Sequence, residues 1–249
     1  MFTGIGSVIN AAAIAGGGLL GLAVGRFLKE RFQETLMKIL GFAVIVMAIG
    51  GSRSRMLVVP VTQNGDGFHA ALDTQGTIMM ILSLALGAIL GELINLHKWF
   101  EKLGTFLRDK TGSQGDSRFI DAFVTASLTV CVGAMAIIGA IQEGIQGDPG
   151  TLISKAVIDF IVILTMASSM GKGCIFAALP VLVWQASVTY LAGLVAPIMT
   201  EVAISNLSLV GNVLILCIGV NMVWPKTIRV ANLLPAVVIA VIFAFIPGI

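Results

Sequence analysis

The stretch from Gly139 to Asp159, GAIQEGIQGDPGTLISKAVID, sets Gln142, Glu143, Asp148, Lys155 and Asp159 between two strongly apolar segments. Carboxylates, an ammonium group and amides in such surroundings can exchange protons or ions, or hold a small polar solute. A charge carried into lipid costs ~2.5 kcal/mol or more, so it is kept where it faces a protein interior or an aqueous cavity. Lys155 and Asp159 stand four residues apart, and one helix would stack them on one face. Two readings follow: a closed internal pair, or a pair that exchanges partners with a coupling proton, Na⁺ or a charged solute during a conformational cycle. From Asp148, Asp159 lies about ten residues and so ~15 Å along a helix, near mid-bilayer if the helix starts at the surface.

Asp148-Pro149 carries the chemistry of a helix start, with Asp as N-cap and Pro at the first helical position. Glu143 supplies a second carboxylate. Gly139, Gly144 and Gly147 allow the backbone to leave the helix, and an unwound segment beside a helix N-terminus offers carbonyls to cations and N–H groups to anions; an external loop is the alternative. Gln185 and Asn221 are lesser pathway candidates, while Asn10, Asn212 and Asn232 read as bonds between neighbouring helices. Asp121 and Glu92 read as interfacial groups. The sequence offers no metal or cofactor site, since His69 and His97 both fall outside the apolar runs and no HExxH, Ser/His/Asp or Cys/His grouping occurs. An enzyme is therefore not expected.

The elements that must position these groups are transmembrane helices. Of the 249 residues, 57% are hydrophobic and 11% charged, with mean hydropathy +1.01, against roughly 25% charged in soluble domains. This predicts one all-α polytopic domain over 1–249. With ~20 residues per crossing, spans fall near 5–27, 35–51, 77–96, 119–142, 151–170, 173–195, 204–223 and 229–247. The second is the shortest, and the break Ser168–Gly173 leaves the fifth and sixth open to a re-entrant reading. Eight crossings put Arg26, Lys29, Arg31, Lys38, Lys98, Lys102, Arg108, Lys110, Arg118, Lys172, Lys226 and Arg229 on one side, and only Arg53, Arg55 and Lys155 on the other. The positive-inside rule places the rich side in the cytoplasm and both termini outside. The first span reads as retained, not as a cleaved signal. The small net charge of +2 gives no case for nucleic acid. Cys131, Cys174 and Cys217 lie in apolar runs and read as small hydrophobes.

Within His97–Lys110, Trp99, Phe100, Leu103, Phe106 and Leu107 fall on one helical face flanked by basic groups, which predicts a cytoplasmic amphipathic helix in the headgroup region. Residues 111–117 read as a flexible linker. The outer connection, 52–76, carries the turn signal Asn64-Gly65-Asp66-Gly67 and the run Met56–Val61, a short strand or surface-dipping segment; His69 belongs to its surface. Laying 22–50 on 191–219 aligns Leu22 with Leu191, Ala23 with Ala192 and Gly50 with Gly219. An offset of five crossings would make this an inverted repeat, as in many secondary transporters.

The chain resembles the YdfK/YqgA-like family of bacterial inner-membrane proteins, a domain of unknown function. The residues that carry the resemblance are Asn10–Gly18, Gly87–Glu92, Gly139–Pro149 with Lys155 and Asp159, and Asn232–Ala236. The resemblance covers nearly the whole chain and implies multi-pass plasma-membrane proteins without an established substrate; the loop 52–76 is a departure. The leading expectation is a secondary transporter or ion-coupled permease for a small solute, with Asp159, Lys155, Glu143 and Asp148 binding or coupling. A channel, which needs a continuous polar path, and a non-transporting scaffold or sensor working through 97–110 are the alternatives. Lipid and a small solute or ion are the expected partners, and small-residue faces leave room for a homo-oligomer.

Overall fold

A computed structural model describes residues 4–246 except 59–60, 65–66, 71–72, 132 and 226. The chain is an all-α polytopic membrane protein. Helices α1 (Ile5–Gly25) and α2 (Glu30–Met56) precede four short strands, β1 (Leu57–Val58), β2 (Val61–Asn64), β3 (Gly67–Ala70) and β4 (Asp73–Thr74). There follow α3 (Thr77–Ile94), α4 (Leu96–Lys110), α5 (Phe119–Cys131), α6 (Ala134–Gln146), α7 (Gly150–Met170), a 3-10 turn (Lys172–Ala177) continuing into α8 (Ala178–Tyr190), and a one-turn α9 (Ala192–Val195). Helix α10 (Glu201–Val223), a 3-10 turn (Val230–Leu233) and α11 (Pro235–Phe243) complete the bundle. Six helices among the described residues are long and apolar enough to cross a membrane, seven if α5 and α6 form one span bent by 59°. The shorter apolar segment Val230–Phe243 occupies the eighth expected position.

Lipid gives helices no hydrophobic reason to associate, so small residues that let backbones approach supply the contact. Gly17, Gly21 and Gly25 of α1 face the carbonyls of Phe160, Leu164 and Ser168 of α7, so that a Cβ on any of the three would run into main chain. Both sets are spaced by four and rise together, which makes α1 and α7 parallel neighbours in contact along most of their length. Gly41 of α2 and Gly219 of α10 meet reciprocally, and Gly87 and Gly91 of α3 lie against Ala236 and Asn232. Outward faces stay apolar and exposed, as at Leu19, Val46, Ile89, Ile161 and Val238. The core behind them gathers Phe119, Phe123, Ile163, Val181 and Leu214.

Several expectations change. The second span is not short, since α2 continues through Arg53 and Arg55 to Met56, so the connection begins at Leu57. That connection is a two-tier hairpin: β1 pairs with β4, and β2 with β3 with Asn64 opposite Gly67 and Thr62 opposite His69. Residues 65–66 of the expected turn, and the side chain of His69, lie outside the described residues. The expected break between the fifth and sixth spans falls at Gly171, φ 95°, and a second, bent by 59°, divides the fourth span between Cys131 and Ala134. Gly139 and Gly144 are helical, and Gly147 alone leaves the helix, at φ 68°. Helix α4 divides its apolar face. Phe100 and Leu107 pack on the core and Gly104 sits against Phe123 and Ile120, while Trp99 and Phe106 are exposed and available to lipid. The cysteines are free.

Glycine spacing gives a direct stability test. Gly91→Ala drives a methyl group into the Asn232 backbone and is expected to cost ~1–3 kcal/mol, as overpacking does. Gly50→Ala in α2, where nothing lies within 4 Å, is expected to be neutral or to gain up to ~1 kcal/mol from the lower entropy of alanine. Thermal unfolding of both variants in detergent checks the contrast; equal behaviour would remove close helix approach as the cause.

Candidate functional site

Asp159 lies about mid-way along α7, and its Oδ2 accepts from the Lys155 ammonium one turn earlier and from Asn10 Nδ2 of α1 at 3.0 Å. The same Asn10 amide donates to Gln185 Oε1 of α8 at 3.1 Å. Lys155 Nζ also donates to the carbonyl of Val130 at 2.9 Å. That carbonyl belongs to the last turn of α5, where the chain breaks and carbonyls lack intrahelical partners. The ammonium therefore takes a cation's place between a carboxylate and the negative end of a half-helix. Asn10 and Gln185 are fully buried, and Lys155 and Asp159 are 6% and 5% exposed. The cluster is thus a sealed polar layer inside the bundle, held by α1, α5, α7 and α8.

Glu143 belongs to a second layer, nearer the end of the bundle where α1 begins. Its Oε1 accepts from the Gly6 N–H at 2.7 Å, one of the four donors at the start of α1 that no helical carbonyl reaches. A carboxylate there also meets the positive end of the helix dipole. Glu143 is 1% exposed, and its Oε2 has no hydrogen-bond partner. The same is true of Ser7 Oγ, Asn10 Oδ1, Gln185 Nε2 and Thr189 Oγ1.

The remaining expected residues divide. Asp148 is exposed, and its Oδ1 accepts from Gly150 N at 2.9 Å; Pro149, not Asp148, occupies the N-cap position. Asp148 therefore starts the helix without entering the polar layers. Gln142 Oε1 accepts from Thr151 Oγ1 at 2.6 Å and ties α6 to α7. Asn221 lies at the other end of the bundle, with its amide bonded both ways to Ile228, at 2.6 and 2.9 Å. Asn10, read from sequence as a plain interhelical link, is the donor that joins Asp159 to Gln185. Spacing gave no signal for this, because Asn10 and Asp159 are 149 positions apart.

At the end where the basic residues collect, a cavity of about 980 Å³ opens between α2, α4, α5, α7 and α10. Arg31, Lys98, Arg118 and Arg229 stand on its walls with Glu34, Glu101 and Asp121. Asn221 and Ser169 add neutral polar groups. Its apolar lining includes Val124 and Leu128 of α5 and Ile218 and Met222 of α10, all of them nearly buried. Leu128 is two residues, ~3 Å of helix rise, from the Val130 carbonyl that holds Lys155. Along α5 the cavity lining thus comes within one helical turn of the carbonyl that holds the ion pair.

A buried pair stripped of one partner leaves an uncompensated charge, at a cost of ~3–5 kcal/mol, whereas replacing both with apolar groups can be close to neutral. Lys155→Met and Asp159→Leu should each depress thermal stability strongly, and the double variant should recover much of the loss. A double variant as unstable as the summed singles would mean that the two groups act independently.

The sequence comparisons agree with this architecture. The family model described as "Protein of unknown function (DUF554)" matches residues 5–245. The "Uncharacterized membrane protein YdfK" of Bacillus subtilis (strain 168) is 28% identical over 241 residues, covering 97% of this chain and 96% of the relative. The "Uncharacterized protein YqgA" of Escherichia coli (strain K12) is 30% identical over 240 residues, covering 95% and 94%. No solved structure matches. With a family match over almost its entire length and at least six membrane-length apolar helices among the described residues, the chain belongs to the DUF554 family and is a membrane protein.

Proposed function

We propose that this protein is a secondary transporter, an ion-coupled permease for a small polar solute, in the plasma (inner) membrane. The observation that carries the reading is the Lys155–Asp159 pair, buried against the end of a broken helix whose preceding turn lines a large cavity. Irregular backbone at membrane depth is tolerated when it is buried or lines a cavity, and transporters place it at their binding sites. A polar layer sealed within the bundle suits a carrier better than a channel, which needs a continuous polar path. Asp159, Lys155, Asn10 and Gln185 are the binding and coupling groups in this proposal, and Glu143 is a second coupling carboxylate. Asn221 and Ser169 belong to the entrance. No metal or cofactor enters the proposal.

The basic residues define the side from which the cavity is reached. The positive-inside rule makes it the cytoplasm, with both termini outside. Exposed Trp99 and Phe106 of α4 then lie in the inner headgroup region as a lipid anchor.

Two measurements test this. In detergent, the purified chain is expected to gain thermal stability with one member of a panel of small metabolites and ions, and Asp159→Asn is expected to lose that gain. At about a hundredfold excess over Kd the gain would be ~2.7 kcal/mol. A panel that leaves both proteins unchanged at high concentration would count against a solute site. Reporter fusions at the two ends of the chain should both signal the outer side; reporters on opposite sides would overturn the eight-crossing topology and the assignment of the cavity to the cytoplasm.

A further inference from the structure

We propose that the coupling ion is a proton, and that it reaches Asp159 from Glu143 along a polar seam between α1, α6, α7 and α8, from the end of the bundle opposite the basic cavity. The inference deepens the transporter reading and rests on it for its physiological purpose. Its physical content is separate: two buried carboxylates that exchange a proton.

The seam follows from helix register. Ser7 and Asn10 lie one turn apart on α1, and Thr189 and Gln185 one turn apart on α8. Gly6 N–H bonds Glu143, and a Cβ on Gly144 would meet the Thr189 carbonyl, so Ser7, Thr189 and Glu143 share the upper level. Asn10 bonds both Gln185 and Asp159, which fixes the lower level four residues, or ~6 Å of helix rise, deeper. Five side-chain atoms on these two levels, Glu143 Oε2, Ser7 Oγ, Thr189 Oγ1, Asn10 Oδ1 and Gln185 Nε2, are buried without a hydrogen-bond partner. Buried polar atoms in folded proteins are almost always bonded, to protein or to ordered water. Glu143 Oε2 and the four orphans on the levels between it and Asp159 mark a route on which water can bond at each step.

The chemistry favours a proton over a metal cation. Asp159 Oδ2 faces two donors, the Lys155 ammonium and the Asn10 amide, and the Val130 carbonyl that would complete a cation site already accepts from Lys155. No cluster of three or more His, Cys, Asp or Glu suited to a metal occurs among the described residues. A proton needs no cage. The Glu143 carboxylate takes a proton at the mouth of the seam and passes it on through the waters of the seam to Asp159, so that Glu143 is a carboxylate again and Asp159 the neutral acid. Lys155 stays an ammonium, keeps the Val130 carbonyl and loses its counter-charge. The pair that braced α7 against the broken end of α5 is then loosened.

Few other titratable groups bear on the two carboxylates. Lys155 on α7 and Cys131 at the end of α5 act on Asp159. Tyr190 of α8 stands against Gly4 at the mouth of the seam. Asp148 before α7 and Glu201 at the start of α10 are exposed. Helix α1 contributes no titratable side chain to the seam, and α9 has none.

Infrared difference spectroscopy of the full chain in detergent, on stepping from alkaline to mildly acidic buffer in H₂O and in D₂O, reads protonated carboxyl groups directly. Two isotope-sensitive carboxylic bands are expected, one removed by Glu143→Gln and the other by Asp159→Asn, with each variant shifting the titration of the band that remains. Glu143→Gln keeps an oxygen for Gly6, so the helix start is preserved. After a rapid pH step, Gln185→Leu should slow the Asp159 band several-fold without changing its final size. Absence of a Glu143 band, independent titration of the two groups, or an unchanged rate in Gln185→Leu would each overturn the relay. The two readings fail separately: coupled bands without solute binding remove the transporter alone, and Na⁺-dependent solute binding with uncoupled bands removes the relay alone.

Discussion

An ammonium and a carboxylate one turn apart on an apolar helix survive in lipid only when protein surrounds them on every side, and this requirement organises the bundle. Each charge costs several kcal/mol to bury even after relaxation, and the mutual attraction repays it only when further hydrogen bonds satisfy both groups. Lys155 and Asp159 meet the condition with partners from three other helices, the Val130 carbonyl of α5, the Asn10 amide of α1 and, through it, Gln185 of α8. Helix α7 is covered over more than a third of its apolar window, as are α1 and α8 that bear its partners. By contrast α2, with no buried charge to shield, lies at the periphery with only about a tenth of its apolar window covered.

The glycine ladder is the means by which α1 meets that requirement. Asn is a short side chain, and its amide reaches a carboxylate on the next helix only if the two backbones approach more closely than Leu or Ile at the contact would allow. Gly17, Gly21 and Gly25 remove the side chains below Asn10 and put α1 directly on the carbonyls of Phe160, Leu164 and Ser168. Above it Gly6 does the same beside Leu152 and Glu143. Close packing and the polar site are therefore one design: the first sets the distance at which the second can form, and Glu143 in turn holds the start of α1 in place through the Gly6 N–H.

Much of the fold was legible in the sequence because the bilayer imposes a simple rule on it. Apolar runs of crossing length located the helices, and basic residues located one end; Arg31, Lys98, Arg118 and Arg229, far apart in the chain, do gather around one cavity. The Lys155–Asp159 pair was visible because its two members are local, four residues apart. What pairs them with the rest was not. Asn10 looked like several other asparagines, and only tertiary packing distinguishes it from Asn212 or Asn232. The break in the fourth span, between Cys131 and Ala134, carried no such local signal, and the unwinding expected at Gly139 and Gly144 is absent for a related reason. Glycines at 139 and 144 can serve either an unwound segment or a close helix crossing, and here packing against Leu152 and Thr189 decides for the crossing. The cavity could not be read from the sequence, since its walls come from five helices whose arrangement no local pattern records.

The break between α5 and α6 gives the polar layer mechanical consequences. An intact helix would hold Val130 rigidly to the residues beyond it, and its carbonyl would be spent on the next turn. Because α5 ends at Cys131, the carbonyl is free for Lys155, and α6 sets off from Ala134 at 59° to α5. Helix α5 also carries Val124 and Leu128, which line the cavity. One hydrogen bond thus ties the wall of the cavity to the charge pair, and a change of partner at Lys155 acts directly on the helix that forms that wall. A continuous helix would spend the Val130 carbonyl on its own backbone and leave the ammonium one partner short. The interruption in the fourth apolar segment and the burial of the ammonium are therefore one structural arrangement, each supplying the partner that the other lacks.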